Sequence, residues 1–370
     1  MRLSKKVIAV AMASMMMVSM TACGNSNSEP AAAPAPATPA PAETQAAPAE
    51  TQAAQAEAET VAASVAETTG EGGTVGVCIY KFDDAFMTTY RNALQEILEG
   101  KGYTVTFMDG KNDQAEQNNQ INNFIAQGVD ALIINPVMTS AADQIIATVK
   151  DADIPTVLIN REPTAEQMSA YEKLVYVGCD ARQSGTMQGE LILDTENKGD
   201  INGDGKVSYI MIQGDPENVD AQYRTEFSVK ALTDAGVEVE ELLLQRGDWD
   251  QAKAQQIAQD ALNQHGDKIE VIFCNNDAMA LGALQAIEAA GRTVNEDIYL
   301  VGVDALTEAV QNVIDGKQTG TVFNDHFAQA QTAGDIAVKL LSGEAVDPVN
   351  MVDYTKVTQE NAQAILDQLK

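Results

Sequence analysis

Asparagine and aspartate residues follow one apolar segment of this sequence after another. The set comprises Asn135, Asn160, Asn276, Asp304 and Asn324, and the first apolar segment leads to Asp83-Asp84. Any one of them could simply cap a helix or form a turn, because short polar side chains bond free backbone N–H groups. The whole set is rich in amides and carboxylates, and neither a phosphate-binding glycine loop nor a basic cluster accompanies it. This composition indicates a site that hydrogen-bonds a neutral, hydroxyl-rich molecule.

Two aromatic residues lie in polar segments of the same kind. Trp249, the only tryptophan, lies in the loop 246–250, and Phe86 follows Asp83-Asp84. A loop aromatic usually serves peripheral packing, but an aromatic face can also cover the C–H side of a sugar ring. The sugar-binding interpretation therefore requires that these loops share one edge of a sheet with the asparagines and aspartates.

Residues 200–208, DINGDGKVS, carry oxygen-bearing side chains at positions 1, 3, 5 and 9, with glycine at position 6. These are the first nine positions of an EF-hand calcium loop, in which position 7 supplies a backbone carbonyl. Position 12 should be a glutamate but is Met211. Glu270, which opens an otherwise apolar strand, could complete the site, because a buried carboxylate needs a cationic partner. The alternative is an ordinary Asn-Gly-Asp-Gly turn.

Strand and helix signals alternate through the sequence from residue 74 onward. The apolar patterns predict strands at 74–80, 103–108, 131–134, 156–159, 174–177, 207–212, 237–244, 271–274, 299–303 and 321–323. Amphipathic segments between them, such as 86–100 and 141–150, predict helices. This alternation predicts α/β architecture with parallel sheets and helices on both faces. Because the strands outnumber those of one compact sheet, we expect two doubly wound domains, with binding at the carboxyl ends of the strands.

Charge and cysteine content exclude several classes of function. The 54 acidic and 23 basic residues give a formal net charge of -31, which argues against nucleic acid or anionic lipid as a surface partner. Cys78, Cys179 and Cys274 each lie in or at the end of an apolar segment, at spacings that match no metal motif. They are expected to be buried free thiols.

The N-terminal region has two parts that precede the folded domains. Residues 1–23 combine a basic start, an apolar core too short to span a membrane and the sequence Met-Thr-Ala-Cys. This segment resembles a bacterial lipoprotein signal in which Cys23 is lipidated, and the alternative is an ordinary secretory signal cut near Ala22. Residues 24–73 are rich in Ala, Pro, Glu and Thr, which predicts a disordered tether. We therefore expect an extracytoplasmic module anchored to the outer face of the cell membrane.

From about residue 74 to its end, the sequence resembles the galactose/glucose-binding proteins of bacterial sugar ABC importers. The matching stretches include VCIYKFDDAFM, NPVMTSAAD, DINGDGKVS, GDPENVDAQYR, IEVIFCNNDAMALGA, VGVDAL and GTVFND. The resemblance implies a monomeric type I periplasmic binding protein with two lobes joined by three hinge crossings. We expect an N-terminal lobe of 74–154 and 324–350, and a C-terminal lobe of 155–323 and 351–370.

The same resemblance implies a set of roles for individual residues. Phe86 and Trp249 would sandwich a galactose or glucose ring, and calcium would be structural. The hydrogen-bonding partners would be Asp84, Asn135, Asn218, Asp220, Arg224, Asn276, Asp304 and Asn324, and the calcium ligands Asp200, Asn202, Asp204, the Lys206 carbonyl, Ser208 and Glu270. Asn218 stands where the family has histidine, so the resemblance leaves the hexose preference open. Ser208 stands where the family has a longer amide, so a weaker calcium affinity than the family's is expected.

The resulting expectation is a binding protein without enzymatic activity that closes over a monosaccharide, or a methyl-galactoside, and delivers it to an ABC permease. Two other functions fit the same residues. One is a sensor that presents sugar to a chemoreceptor or histidine kinase, which would use the same closure. The other is a glycoside-acting enzyme with a catalytic carboxylate pair. The acids at the strand ends are accompanied by amides and aromatics, which favours capture over hydrolysis.

Overall fold

The structure is a computed structural model that describes residues 72–370. The predicted signal segment with Cys23, and the predicted tether as far as residue 71, lie outside the described residues. Within the described part of the chain, no helix is long and apolar enough to cross a membrane.

Strands and helices alternate in chain order, as the sequence predicts. The strands are β1 Thr74–Ile79, β2 Thr104–Asp109, β3 Ala131–Ile134, β4 Thr156–Ile159, β5 Leu174–Gly178, β6 Lys206–Gln213, β7 Glu238–Arg246, β8 Val271–Cys274, β9 Tyr299–Val301, β10 Thr321–Phe323, β11 Val349–Met351 and β12 Thr355–Val357. The α-helices are α1 Ala85–Gly100, α2 Gln114–Gln127, α3 Ala142–Asp151, α4 Ala165–Met168, α5 Ala181–Leu193, α6 Val219–Asp234, α7 Gln251–His265, α8 Asp277–Ala289, α9 Thr307–Ile314, α10 His326–Leu341 and α11 Ala362–Gln368. Short 3₁₀ turns occupy Thr139–Ala141 and Gly266–Lys268.

The first lobe is built on a six-stranded sheet in the order β11-β5-β4-β3-β1-β2. All its strand pairs are parallel. β1, β3 and β4 are apolar and almost wholly buried, as strands covered by helices on both faces must be. The strand order reverses between β1 and β3, so the loops after these two strands diverge and leave a crevice at their carboxyl ends.

The second lobe repeats this arrangement with the order β7-β6-β8-β9, again wholly parallel. Its direction of winding reverses between β6 and β8. An antiparallel pair, β10 and β12, extends the lobe, and isolated bridges join Val301 to Gly320 and Asp304 to Phe323. Each lobe therefore presents one crevice at the carboxyl edge of its sheet.

The predicted boundary between the lobes at residue 154 is wrong. β4 pairs with β3 and β5 pairs with β4, so residues 155–178 belong to the first lobe. β11 pairs with β5, and α10 packs its alanines on the core of the same lobe, whereas β12 pairs with β10. The first lobe thus comprises residues 74–178 and 326–351, and the chain passes between the lobes three times. Alternation predicts the strands but not the sheet that each one joins, because parallel pairing depends on distant contacts.

Several sequence predictions are confirmed at this level. Four predicted strands, 131–134, 156–159, 271–274 and 321–323, have the same bounds in the structure. Cys78, Cys179 and Cys274 are buried free thiols. β11 and β12 were not predicted, because each is only three residues long and carries polar residues with no apolar run.

Candidate functional site

A cavity with about 350 Å³ of empty space lies where the carboxyl edges of the two sheets face each other. Both lobes contribute to its wall, and the lining residues are Tyr80, Asp84, Phe86, Met87, Asn160, Arg161, Asn218, Asp220, Arg224, Trp249, Asn276, Asp304 and Asn324. Every residue predicted to contact a sugar is among them except Asn135.

Asp84 shapes the wall from the first lobe. It precedes α1, and its carboxylate accepts hydrogen bonds from the Met87 N–H at 2.7 Å and from the Tyr80 hydroxyl at 2.6 Å. The first bond is a helix N-cap, which fixes the side chain at the start of α1. Asp84 therefore caps the helix and also lines the cavity, because the cap holds its carboxylate at the edge of the sheet.

Asn135 lies behind the residues that line the cavity, and its predicted contact with a ligand stays a prediction. It is fully buried, and its side-chain oxygen accepts from the Tyr80 N–H at 3.3 Å. Its amide nitrogen donates to the Ile159 carbonyl and to Asn160 Oδ1, each at 3.3 Å. These bonds join the ends of three neighbouring strands. Asn135 therefore supports Tyr80 and Asn160, which line the cavity.

Two asparagines cap helices on the side of the second lobe. Asn218 accepts from the Asp220 N–H at 3.0 Å at the start of α6, and Asn276 accepts from the Met279 N–H at 3.0 Å at the start of α8. Both are nearly buried and line the cavity. The amide nitrogens of both side chains are not used by these caps, so they can donate to a ligand.

Arg224 connects the second lobe to the segment between the lobes. Its guanidinium donates to the Asn275 carbonyl at 2.8 Å and to the Tyr354 hydroxyl at 3.1 Å, and Nη1 lies 3.9 Å from Asp304 Oδ1. Asn324 Nδ2 in turn donates to Asp304 Oδ1 at 3.2 Å. The predicted residues Arg224, Asp304 and Asn324 are thus brought into one buried network.

Burial and charge act against each other on the acids of this cavity. Burial raises the pKa of Asp304 to about 8, although nearby Arg224 opposes the shift. Burial likewise raises the pKa of Asp220 to about 6 against the opposing charges of Arg224 and Arg161. Asp220 Oδ1, Arg161 Nε and Arg224 Nε are buried and find no hydrogen-bond partner within residues 72–370. Unpartnered buried polar atoms are costly, so the cavity is prepared for a ligand that donates and accepts hydrogen bonds.

The two predicted aromatic residues enter the cavity from different lobes. Phe86 belongs to α1 of the first lobe and is buried, with its ring edge-on to His326 at 6.3 Å between centroids. Trp249 belongs to the loop after β7, and its ring packs directly on the backbone of Gly214, where a Cβ would meet Trp249 Cη2 at 2.2 Å. Aromatic faces in a polar cavity are suited to the C–H surface of a pyranose.

Sequence reasoning missed four residues of the wall: Tyr80, Met87, Asn160 and Arg161. Asn160 follows β4 and was recognised as a strand-end residue, so that pattern alone could have indicated it. Arg161 gives no sequence signal, yet it is fully buried, donates to the Val137 carbonyl and lies with Cζ 4.4 Å from the centre of the Tyr80 ring. Tyr80 and Met87 look like core residues because they are apolar and flank buried segments.

The acidic loop at 200–208 folds around its own carboxylates. Asp200 accepts from the backbone of Gly203, Asp204 and Gly205 at 2.8–3.2 Å, and Gly203 and Gly205 have φ values of 73° and 95°. Asn202 Oδ1 accepts from the Asp204 N–H, and Asp204 Oδ1 accepts from the Lys206 N–H. Only residues without a Cβ adopt such φ values freely, which explains why glycine occupies these two turns.

Glu270 reaches this loop from the start of β8. Its carboxylate is buried and accepts from the Asn202 N–H at 3.0 Å and from the Ser208 N–H at 2.8 Å. The predicted juxtaposition of a distant carboxylate with the loop is therefore present. Within residues 72–370 no lysine or arginine forms an ion pair with Glu270. Oxygen donors of this kind are those that hard cations prefer.

The arrangement of the loop does not amount to a recognisable preformed metal cluster. No group of three or more His, Cys, Asp or Glu side chains among the described residues is gathered so that it could hold a metal ion. The side-chain oxygens of Asp200, Asn202 and Asp204 bond to loop N–H groups. A bound cation would therefore have to share these oxygens with the loop N–H groups or displace them.

Comparison with known proteins agrees with this architecture. Residues 75–345 match the family described as periplasmic binding protein domain. The chain is 36% identical over 303 residues to the D-galactose/methyl-galactoside binding periplasmic protein MglB of Haemophilus influenzae, covering 78% of this chain and 90% of that protein. It is 29% identical to the ribose import binding protein RbsB of Bacillus subtilis, covering 74% of this chain and 83% of that protein.

Solved structures with the same fold include an ABC transporter solute binding protein from Bacillus halodurans with bound myo-inositol. It superimposes with a TM-score of 0.72 at 30% identity, covering 82% of this chain and all of that one. A galactofuranose binding protein superimposes with a TM-score of 0.73, at 24% identity and over 80% of this chain and 97% of that one. The architecture is that of type I periplasmic binding proteins.

Proposed function

This chain belongs to the periplasmic binding protein family, and from that premise we propose that it captures a monosaccharide between its two lobes and delivers it to an ABC import permease. The preferred ligands are galactose and glucose, with methyl-galactosides as further candidates. The observation that carries the proposal is the cavity itself, in which Phe86 of one lobe and Trp249 of the other face a polar wall. This combination matches a ring with hydroxyl groups at its edge and C–H bonds on its faces.

Closure follows from the placement of the wall residues on both lobes. A sugar that bonds Asp84 of the first lobe and Asp220 and Asn276 of the second is held by more groups when the lobes are together. The ligand therefore stabilises the closed arrangement by its higher affinity for it. Import requires this difference, because a permease has to distinguish the loaded protein from the empty one.

Calcium and membrane attachment are further parts of the proposal. The calcium ligands would be Asp200, Asn202, Asp204, the Lys206 carbonyl, Ser208 and Glu270, and the ion would join the loop to the start of β8. The assignment is supported by the oxygen donors and by the buried Glu270 carboxylate, which forms no ion pair with a lysine or arginine of the described part of the chain. Family membership supports an extracytoplasmic location, and the sequence of residues 1–23 supports attachment through a lipid on Cys23.

The experiment that tests the proposal is a titration of the full chain, followed through the fluorescence of Trp249, with galactose, glucose, ribose, xylose and myo-inositol. A saturable change with galactose or glucose at lower concentrations than with the other ligands supports the proposal. A preference for ribose, xylose or myo-inositol would retain the family and overturn the hexose assignment. Absence of binding to all five would overturn the sugar-binding function.

A further inference from the structure

The loop that carries Trp249 has an unusual backbone. Asp248 and Trp249 are consecutive non-glycine residues with φ values of 55° and 64°. The left-handed region is tolerated by Asp, but for a bulky residue such as Trp it is rare and strained. Such strain persists only where surrounding contacts impose it, and it is concentrated at functional sites. The contacts that hold this strained backbone also determine where the ring of Trp249 lies.

Backbone contacts fix the ends of this loop and close a turn across its centre, in which the Asp250 N–H donates to the Gly247 carbonyl at 3.0 Å. The Gly247 N–H donates to the Gln213 carbonyl at 2.7 Å, and the Asp250 carboxylate caps α7 by accepting from the Lys253 N–H at 2.7 Å. A Cβ on Gly247 would lie 2.6 Å from Met279 Sδ, so the chain enters the loop through a tight passage. This turn takes left-handed φ values at both of its central residues, Asp248 and Trp249, and the side chain of Asp248 adds ion pairs to it.

Asp248 is held by two cations from opposite sides. Its Oδ1 accepts from Arg246 Nε and its Oδ2 from Lys253 Nζ. Arg246 Nη2 also pairs with Asp215 Oδ1 at 3.2 Å, which ties the loop to the segment after β6. Burial alone would raise the pKa of Asp248, but the bonds from Lys253 and Arg246 outweigh burial and keep the pKa below its ordinary value.

These charged groups lie outside the sugar cavity. Asp248, Arg246 and Lys253 line a neighbouring polar cavity, which shares only Tyr80 and Trp249 with the sugar cavity. Asp248 therefore does not line the wall that would face a ligand, whereas the next residue in the chain does. An ion-paired side chain that adjoins a strained aromatic residue can act on binding only through that residue.

We propose that Asp248 is a positioning residue, which holds the ring of Trp249 against Gly214 over the sugar cavity before a ligand arrives. Preorganisation of this kind increases affinity because the loop is already ordered in the free protein, so binding does not have to supply the free energy of ordering it. The inference rests on the proposed sugar binding for its effect on affinity, but the placement of Trp249 in the free protein is independent of any ligand. The pairs are partly exposed, so salt weakens them.

The test compares Asp248→Asn with the wild-type full chain, with two measurements. Acrylamide quenching of Trp249, the only tryptophan, is measured without sugar, and galactose affinity is measured by calorimetry at low and high salt. Asn accepts the left-handed backbone, so this change removes the charge and keeps the local conformation available. We expect more efficient quenching and about tenfold weaker binding, as two exposed ion pairs together would produce. The loss of galactose affinity between low and high salt should be several-fold larger for the wild type than for the variant.

A matched control separates this role from general stability. Asp234→Asn removes another exposed carboxylate, which pairs with Lys230 at 2.7 Å on α6, and should change neither quenching nor affinity. If Asp248→Asn does not fold, Lys253→Gln and Arg246→Gln carry the same expectation. Unchanged quenching and affinity in a folded variant would overturn the proposal. If the wild type binds no sugar, the proposed function fails, and quenching alone still decides whether Asp248 positions Trp249.

Discussion

The guanidinium of Arg224 lies 3.9 Å from the carboxylate of Asp304, and both side chains are buried at the meeting of the two lobes. Arg224 comes from α6, whereas Asp304 follows β9 with a φ of 116°. Arg224 is not satisfied by this contact alone, because its Nε has no hydrogen-bond partner among residues 72–370. A sugar hydroxyl placed between them would bond both groups, and its bond from the Arg224 guanidinium would be the charge-assisted one.

Asp304 makes stability depend on pH. Its carboxyl ordinarily ionises near pH 3.8, but in the fold its pKa is about 8 because burial disfavours the charge. Between these values the folded chain holds a proton that the unfolded chain has released. The free energy of unfolding contributed by this group is therefore fully present below pH 4 and is lost as the pH rises towards 8.

Replacing Asp304 with asparagine removes this titration and keeps the shape of the side chain. The wild type should lose free energy of unfolding as the pH rises from 5 to 8, and Asp304→Asn should not lose this part. The difference between the variant and the wild type should therefore shift in favour of the variant by at least ~1 kcal/mol over this range, since one unit of pKa corresponds to about 1.4 kcal/mol. Urea unfolding at several pH values measures the difference. A constant difference across this range would contradict the raised pKa of Asp304.

Trp249 should supply a large share of the affinity for sugar. Trp249→Ala is expected to weaken galactose binding by about 30-fold to 1000-fold, which corresponds to the roughly 2–4 kcal/mol of a central aromatic contact. Trp249→Phe keeps an aromatic face and should lose less than tenfold. Calorimetry measures both, since the fluorescent residue is gone. Phe327→Ala, at an aromatic residue that is 42% exposed outside the sugar cavity, is the control and should bind as wild type does.

Calcium should stabilise the second lobe through Glu270. At a calcium concentration one hundred times Kd, binding adds about 2.7 kcal/mol to the free energy of unfolding. Thermal unfolding with calcium and with a chelator should therefore differ in wild type, and Glu270→Gln should abolish the difference. Glu240→Gln alters a nearby carboxylate that pairs with Lys206 at the surface, and the calcium response should survive in this variant. Equal unfolding temperatures with and without calcium in wild type would remove the metal from the proposal.

Asn135 should act on stability more than on ligand contact. Asn135→Ala leaves the Tyr80 N–H without its buried partner, whereas the Ile159 carbonyl still accepts from the Arg161 N–H, so we expect a loss of about 1–3 kcal/mol of unfolding free energy. The affinity for galactose should fall less than in Trp249→Ala, because Tyr80 and Asn160 shift while the other wall residues stay. Unfolding and calorimetry on the same sample test both expectations. An affinity loss as large as that of Trp249→Ala, without a loss of stability, would instead indicate that Asn135 contacts the sugar directly.

Much of the site could be predicted because its residues follow local rules. Asp84, Asn218 and Asn276 each cap a helix directly after a strand, and an N-cap needs a short polar side chain at that position. Parallel strands gather these caps at one edge, so alternation together with capping residues locates the site. The glycines at positions 203 and 205 and the oxygen donors of the acidic loop follow an equally local rule, which is why the turn was recognisable.

The sequence by itself determined the order of strands and helices, the polar edge and the acidic loop, because each depends on residues a few positions apart. Only the tertiary structure decided that β4 and β5 join the first lobe, that Asn135 lies behind the wall, that Arg161 is buried within it and that Asp248 braces Trp249. Each of these depends on contacts between segments far apart in the chain or on a backbone conformation imposed by them. Periodicity carries no information about such contacts, since the free energy that selects them comes from packing and burial of the folded chain as a whole.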